Sequence, residues 1–508
     1  MEHSTRYSRR TRLPLILAAA FVLAFSSVLT AFANVTLTQI SVDTYTNTTS
    51  QHKTQVEPDT FSFGSTIVSV EQTGRFFDGG SSNIAWSTSA NNGASWTTGN
   101  LPGITKHDNP ANPYDRVSDP SVAYDAKHGV WLASTLAILE VSGGIKGQAV
   151  LSSRSANASG TTWNNPVSVA VAGTNGNLDK NWIACDDTPS SPFYGNCYTE
   201  WDDNGLGNKL YMSTSSNGGL SWGQKKSPGG FHGLGGQPVV QPNGTVVVPY
   251  FNGSQIGAFR STNGGGRWSG AVLVSNVSAH TVAGNLRTSP LPSAEVDGAG
   301  KVYVVWQDSR FRSGGASNDI VMSTSTDGVS WTSVVRIPID AISSTADHFI
   351  PGIAVNKNTS GNGAHLGLTY YYYPVANCTL ATCQLNVGFI SSSDGGANWS
   401  APTAIAGPMT MSWLPDTSQG RMVGDYISTS FGSDGLAHGV FAVANAPTAG
   451  GSDCATATPN CDQATYTPAS GLVLGAAVNA VAETPVVQHP ISMAAAEHAA
   501  DQSALTRR

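Results

Sequence analysis

Charge is scarce in this chain. Asp, Glu, Lys and Arg make up only 12% of its 508 residues, against roughly 25% in an ordinary globular protein, which excludes intrinsic disorder and long coiled coils. There is no basic stripe. The net charge is −7 and the pI about 5.8, so nucleic acid is not an expected partner. Beyond residue 33 no second apolar span is visible. Cysteine is limited to six residues, without C-x2-C spacing or clustered His, which argues against thiolate metal sites. The six fall into close pairs, Cys185/Cys197, Cys378/Cys383 and Cys454/Cys461, each in a loop containing Gly, Asn or Pro. Neighbour pairing is one of 15 connectivities open to six cysteines, and the short loops make it the easiest to close. Three loop staples are therefore expected, in keeping with an oxidising compartment.

What is present is glycine (55), proline (26) and short runs rich in Val, Ile, Thr and Tyr, bounded by Gly, Asn, Asp and Ser. That pattern predicts an all-β protein. At the N-terminus, four Arg within residues 1–12 precede the apolar stretch Leu13–Val28, which ends at Ala31-Phe32-Ala33. A basic start, an apolar core and a small-x-small end define an export signal over residues 1–33, with Asn34 as the first mature residue and a secreted product. A retained anchor is the other reading, opposed by Pro14, Ser26, Ser27 and Thr30. Ser8-Arg9-Arg10 resembles part of a twin-arginine signal, but Arg12 stands where an apolar residue is needed.

One short segment recurs six times: Ser89–Trp96, Ser155–Trp163, Ser215–Trp222, Ser261–Trp268, Ser325–Trp331 and Ser392–Trp399. Six of the twelve Trp lie in it. Successive copies stand 67, 59, 46, 63 and 68 residues apart by their Trp, room for a four-stranded antiparallel unit with its loops. In each copy Asn or Asp can accept bonds from the backbone N–H groups ahead of it, Gly supplies a positive φ, and Trp folds back as an apolar plug. Strand-like runs flank the copies, so each is a strand-to-strand corner, and six near-identical copies cannot all be active sites.

The pattern S-x-D-x-G-x-T-W, with Asn allowed for Asp, resembles the Asp box, or BNR repeat, of the sialidase superfamily over residues 55–445. The second copy is one residue longer and the fifth one shorter. The resemblance implies a single β-propeller, four-stranded blades around a channel with the Asp-box turns on the outer rim. Hairpin-like pairs precede the corners at 58–70, 120–134, 182–201, 238–250, 292–306 and 351–371. A seventh, 424–431 with 439–444, has no Trp corner; residues 463–467 and 35–42 could complete it by pairing the chain's two ends. Seven blades are therefore expected over the six of true sialidases. The expected domains are 1–33 signal, 34–470 propeller, and 471–508 an Ala-rich disordered tail in which 494–505 could form a weak helix.

Chemistry is expected where the innermost strands begin. Aligning the repeats puts Glu57, Asp119, Gln237, Leu291 and Ile350 just before Pro58, Pro120, Pro238, Pro292 and Pro351, with Asp425 starting the last blade. Glu57, Asp119 and Asp425 could bind a sugar's hydroxyls or a structural cation, or could simply cap strands; no metal or other cofactor is otherwise expected. Glu71–Ser89 and Trp306–Ser325 match in detail, so Arg75 corresponds to Arg310, while Asp78 is replaced by Ser313. The resemblance implies Asp78 as general acid/base, Tyr426 in Gly-Asp-Tyr as nucleophile with Glu200 as its base, and Arg75, Arg287 and Arg310 as a clamp for a sialate carboxylate. The alternatives are that Tyr426 and Glu200 pack and that Arg75 and Arg310 tie blades through loop carbonyls. One departure counts against an acidic sugar: the family's first-blade F/Y-R-I/L-P reads Val56-Glu57-Pro58 here, and the only Arg-Ile-Pro, 336–338, sits in another strand. Tyr370–Tyr373, Trp182, Trp201 and Trp413 could stack on pyranose rings, and His107, Asp108, Asp347 and His348 could bind a metal. The expected function is a secreted, monomeric, sialidase-like glycoside hydrolase acting on glycans or glycoconjugates, with no membrane partner. The alternatives are a non-catalytic carbohydrate- or protein-binding propeller, or a hydrolase or lyase of neutral polysaccharides using Glu57 and Asp119.

Overall fold

The computed structural model describes residues 1–2, 35–448, 452–455 and 461–478. Residues 3–33 of the expected export signal, Asn34 and residues 479–508 lie outside them. Among the described residues the chain is all-β, and no helix is long and apolar enough to cross a membrane.

The strands follow one another in antiparallel groups, numbered here by their leading strands, β1 (Gln51–Phe63), β2 (Arg116–Asp125), β3 (Leu178–Cys185), β4 (Val239–Val240), β5 (Ser293–Val296), β6 (Asp347–Val355) and β7 (Ser428–Phe431), of which the first, second and seventh belong to one twelve-stranded sheet. Each leading strand hairpins to a second strand, which pairs with a third. A fourth follows in most groups, such as Thr97–Asn100 beside Ser81–Ser89 and Val167–Val171 beside Gly144–Ser155. The third group holds three full strands and completes its edge with single bridges from Lys226 and His232. The seventh draws on both ends of the chain: Ala437–Ala444 pairs with Gln463–Pro468, which pairs with Leu37–Gln39. Each leading strand packs beside the next, and β7 beside β1. Pairing continues past residue 470. Leu472 bridges to Ala437, and Ala477–Val478 pairs with Trp399–Ser400.

Apolar side chains on alternating strand positions fill the spaces between groups. Val68, Trp86, Val122 and Trp131 pack between the first two groups, Tyr198, Met212, Val246 and Phe259 between the third and fourth, and Phe349, Tyr371, Ile427 and Phe441 between the sixth and seventh. The seam between the seventh group and the first carries many polar bonds. Thr465 N–H donates to Ser41 Oγ at 2.9 Å, Gln463 Nε2 to the Gln55 carbonyl at 3.0 Å and Ser87 Oγ to the Ile40 carbonyl at 2.6 Å. Glu71 is fully buried there, accepting from Ser69 Oγ at 3.2 Å and Ser87 Oγ at 3.3 Å.

The repeated corners are closed by their own side chains. Ser89 Oγ accepts from Gly93 N–H at 2.8 Å, Asn91 Oδ1 from Ser95 N–H at 2.9 Å, and Trp96 Nε1 donates back to the Gly93 carbonyl at 3.0 Å. Ser261/Asn263 and Ser392/Asp394 repeat the two backbone bonds. Corners also reach the preceding group: the Ser159 carbonyl accepts from Thr88 Oγ1 at 2.6 Å and the Gly218 carbonyl from Arg154 Nε at 2.8 Å. Three disulfides join Cys185 to Cys197, Cys378 to Cys383 and Cys454 to Cys461.

Candidate functional site

The backbone at the start of the leading strands is unusual and repeats from group to group. Glu57, Asp119, Lys180 and Ile350 are left-handed, with φ of 54°, 46°, 49° and 49°, a region that non-glycine residues enter only where the surroundings impose it. Each lies in a break of register in its own strand pair, between Val56 and Asp59, Ser118 and Ser121, Asp179 and Trp182, and Phe349 and Gly352. Such bulges re-aim a side chain. Here Glu57, Asp119 and Lys180, on three adjacent strands, all line one open cleft. Gly424 allows the seventh group to close in beside it: a Cβ on Gly424 would stand 2.9 Å from the Glu57 nitrogen.

The cleft is a network of charge. Arg287 grips Asp425 with both arms of its guanidinium, Nε to Oδ1 at 2.6 Å and Nη2 to Oδ2 at 2.5 Å, and the Lys180 ammonium pairs with the same Oδ2. Burial alone would raise the Asp425 carboxyl, but Arg287 and Lys180 outweigh it and hold it well below the usual carboxylate range. Burial also opposes the Lys180 charge, and Asp425 holds that ammonium well above its ordinary value. Gln72 donates from Nε2 to Glu57 Oε2 and to Ser118 Oγ, and the Asp425 N–H donates to Glu57 Oε1 at 3.3 Å. Burial, then the Asp425 charge, raise the Glu57 carboxyl. Asp119 differs: it is 3% exposed, and no described residue bonds its carboxyl group. Burial, then Glu57, raise it well above the ordinary value. Arg75 lines the same cleft, donating from Nη1 to Gln72 Oε1 at 3.2 Å and to the Gly80 carbonyl at 3.0 Å. Burial and then Arg287 lower its guanidinium to about 10.

Of the residues expected to act, Glu57, Asp119, Asp78, Arg75 and Arg287 line this cleft, and Asp425 stands behind it. Asp78, its side chain 44% exposed, is paired with Arg116 Nη1 at 2.5 Å, and Arg116 also holds Glu140 at 2.7 Å. Three other expected residues lie outside the cleft lining. Arg310 lies in another loop, bidentate to Asp308 at 2.9 and 2.6 Å and bonded to the Asn276 carbonyl, so it links the fifth group to the last strand of the fourth. Tyr426 is buried against Trp182 and donates to the Pro120 carbonyl at 2.9 Å; burial raises its phenol well above the ordinary value. Glu200 does not meet it. It is fully buried, neither carboxylate oxygen is hydrogen-bonded, and it packs on Gly236, where a Cβ would come within 2.6 Å of its carboxyl carbon.

The proposed stacking aromatics do not line the cleft. Trp201 stacks on Tyr211 at 5.9 Å between ring centres, and Tyr371 and Tyr373 are core. His348 gathers with Asp319 and Asp340, but Arg312 and Arg336 already bridge both carboxylates. Gln237 is structural, its Oε1 accepting from the Ala294 N–H at 3.0 Å. Lys180 and Gln72 are absent from the sequence-based set. Asn181 replaces the proline that marks five other leading strands, although Asp179-Lys180 occupies the same position in the repeat as Val56-Glu57 and Ser118-Asp119.

No protein-family model and no curated protein sequence matches this chain. Solved structures to which it is similar include the Trypanosoma rangeli sialidase in complex with sialic acid, at 12% identity and a TM-score of 0.44 over 86% of this chain and 57% of that one. The NanB sialidase from Streptococcus pneumoniae is similar at 14% identity and a TM-score of 0.41, over 84% of this chain and 70% of that one. A Dyadobacter fermentans protein of unknown function is similar at 14% identity and a TM-score of 0.44, over 70% of this chain and 99% of that one.

Proposed function

We propose that the chain is a secreted, glycan-directed glycoside hydrolase built as a closed seven-bladed propeller, with Asp119 as general acid and Glu57 as its partner carboxylate. The seven groups would be the blades, the corners their Asp boxes and the charged cleft the hub. The Asp-box resemblance supports a glycosidase, the three disulfides suit an oxidising compartment, and a single chain suffices to build the cleft.

The observation that carries the reading is the Asp119 carboxyl group: buried, without a bonding partner, and aimed into the cleft by a left-handed backbone. Two carboxyls close together do not both ionise readily; the proton resides on the less stabilised one. Gln72 and the Asp425 N–H support a charged Glu57, whereas nothing comparable supports a charged Asp119. Asp119 would therefore protonate the leaving glycosidic oxygen while Glu57 stabilises positive charge on the sugar or activates water. A tyrosine route has less support, because the Tyr426 hydroxyl is committed to the Pro120 carbonyl and burial disfavours its phenolate.

The test is hydrolysis of a panel of fluorogenic glycosides, sialosides included. Asp119→Asn is expected to lower kcat by about 100-fold or more while the variant stays folded, and Glu57→Gln to do likewise. Full activity in Asp119→Asn overturns the assignment of the acid. Glycan retention by the wild type without turnover of any substrate would make the cleft a binding site instead.

A further inference from the structure

We propose that Asp425 is a specificity-determining residue: its carboxylate occupies a ready-made cation clamp from within and reserves the hub for uncharged sugars. The inference rests on the glycan-directed reading of the same cleft and adds the class of sugar.

The argument starts from the shape of the ion network. A guanidinium fork with a second cation on the same oxygen is the arrangement in which proteins receive a ligand's carboxylate. Arg287 and Lys180 form that arrangement and both line the cleft. The carboxylate they hold is the chain's own. Asp425 is 2% exposed and stands behind the cleft lining, with its backbone N–H on Glu57. An incoming sugar carboxylate would find the Arg287 fork and the Lys180 ammonium already engaged by Asp425 and would have to be desolvated beside Glu57, whose charge opposes it. Of the cleft's cations only Arg75 has no carboxylate partner among the described residues, and its Nη1 is already bonded to Gln72 and Gly80. Sugar hydroxyls face no such penalty, since carboxyl oxygens, backbone carbonyls and N–H groups can bond them directly.

Replacing Asp425 by Asn keeps its size and removes its charge. Two cations lining the cleft would then lack their anion, and a carboxylate entering the cleft could pair with them from its open side. Melting temperatures of wild type, Asp425→Asn and the double variant Asp425→Asn/Lys180→Gln are compared in sodium formate and sodium chloride of equal ionic strength, and again with glucuronate and glucose. Formate is expected to raise both variants by about 3 °C or more over chloride, and glucuronate is expected to exceed glucose in the same variants. The wild type is expected to show neither difference. In the double variant one buried cation leaves with the buried anion, so it serves if the single variant fails to fold. If neither folds, wild-type equilibrium binding decides, with glucose expected at least ten-fold tighter than glucuronate. A folded variant without the formate shift, a wild type with the same shift, or a wild type preferring glucuronate overturns the proposal. The readout is binding, so a chain without glycosidase activity that still shows the shifts loses the hydrolase reading and keeps this one.

Discussion

Asp119 combines two unfavourable features, a left-handed backbone and a buried carboxyl with no bonding partner. Residues of this kind mark sites where stability yields to function. An acid raised in the folded state binds a proton that the unfolded chain releases first, so its contribution is full below the unfolded value and is lost as pH rises toward the folded one. Asp119→Asn removes that loss, and Asn tolerates the left-handed region. The variant is therefore expected to be more stable than wild type at pH 8, by on the order of 1 kcal/mol, with the difference fading below about pH 4; urea unfolding at both pH values checks it. At this scale the sequence was a partial guide. Pro58 and Pro120 flagged Glu57 and Asp119 because aligning the shared prolines singled out the differing residue before each. Lys180, which precedes Asn181, carried no such flag. Where Tyr426 and Glu200 point was not legible, because residue type says nothing about the direction in which each side chain leaves its strand.

The corners are legible for the opposite reason: their bonds join residues two to four positions apart, so the sequence contains the whole structure. Asp327 accepts from Val329 N–H at 2.8 Å, Ser330 N–H at 2.7 Å and Ser325 Oγ at 3.1 Å, and those two backbone bonds help lower its carboxyl to about 2. Asp327→Ala is expected to cost about 1 kcal/mol in chemical unfolding at neutral pH, and Asp327→Asn less, since the amide oxygen still accepts. Elements that depend on distant partners were harder to read. The irregular edge of the third group and the seating of Ala477–Val478 on Trp399–Ser400 depend on strands that local composition cannot specify.

Across the whole molecule, the meeting of the last group with the first matters most. Glu71 lies in that seam, and burial pushes its carboxyl up to about 8 against the opposing bonds of Ser69 and Ser87. As a raised acid, its contribution is lost as pH climbs from its unfolded value toward 8. Glu71→Gln is expected to flatten the fall in melting temperature between about pH 5 and pH 8; an unchanged slope would mean the seam does not govern it. That the chain ends would meet was readable in outline, because the seventh hairpin lacked two strands and the only unassigned runs were terminal. The polar character of their junction was not.

The bond from Thr465 to Ser41 spans 424 residues of sequence. During synthesis the first strand must wait for almost the entire polypeptide before its partner emerges. A product cut short by premature termination keeps its earlier sheets yet leaves hydrogen-bonding edges bare at one place, a single lesion by which quality control could tell an unfinished chain from a finished one.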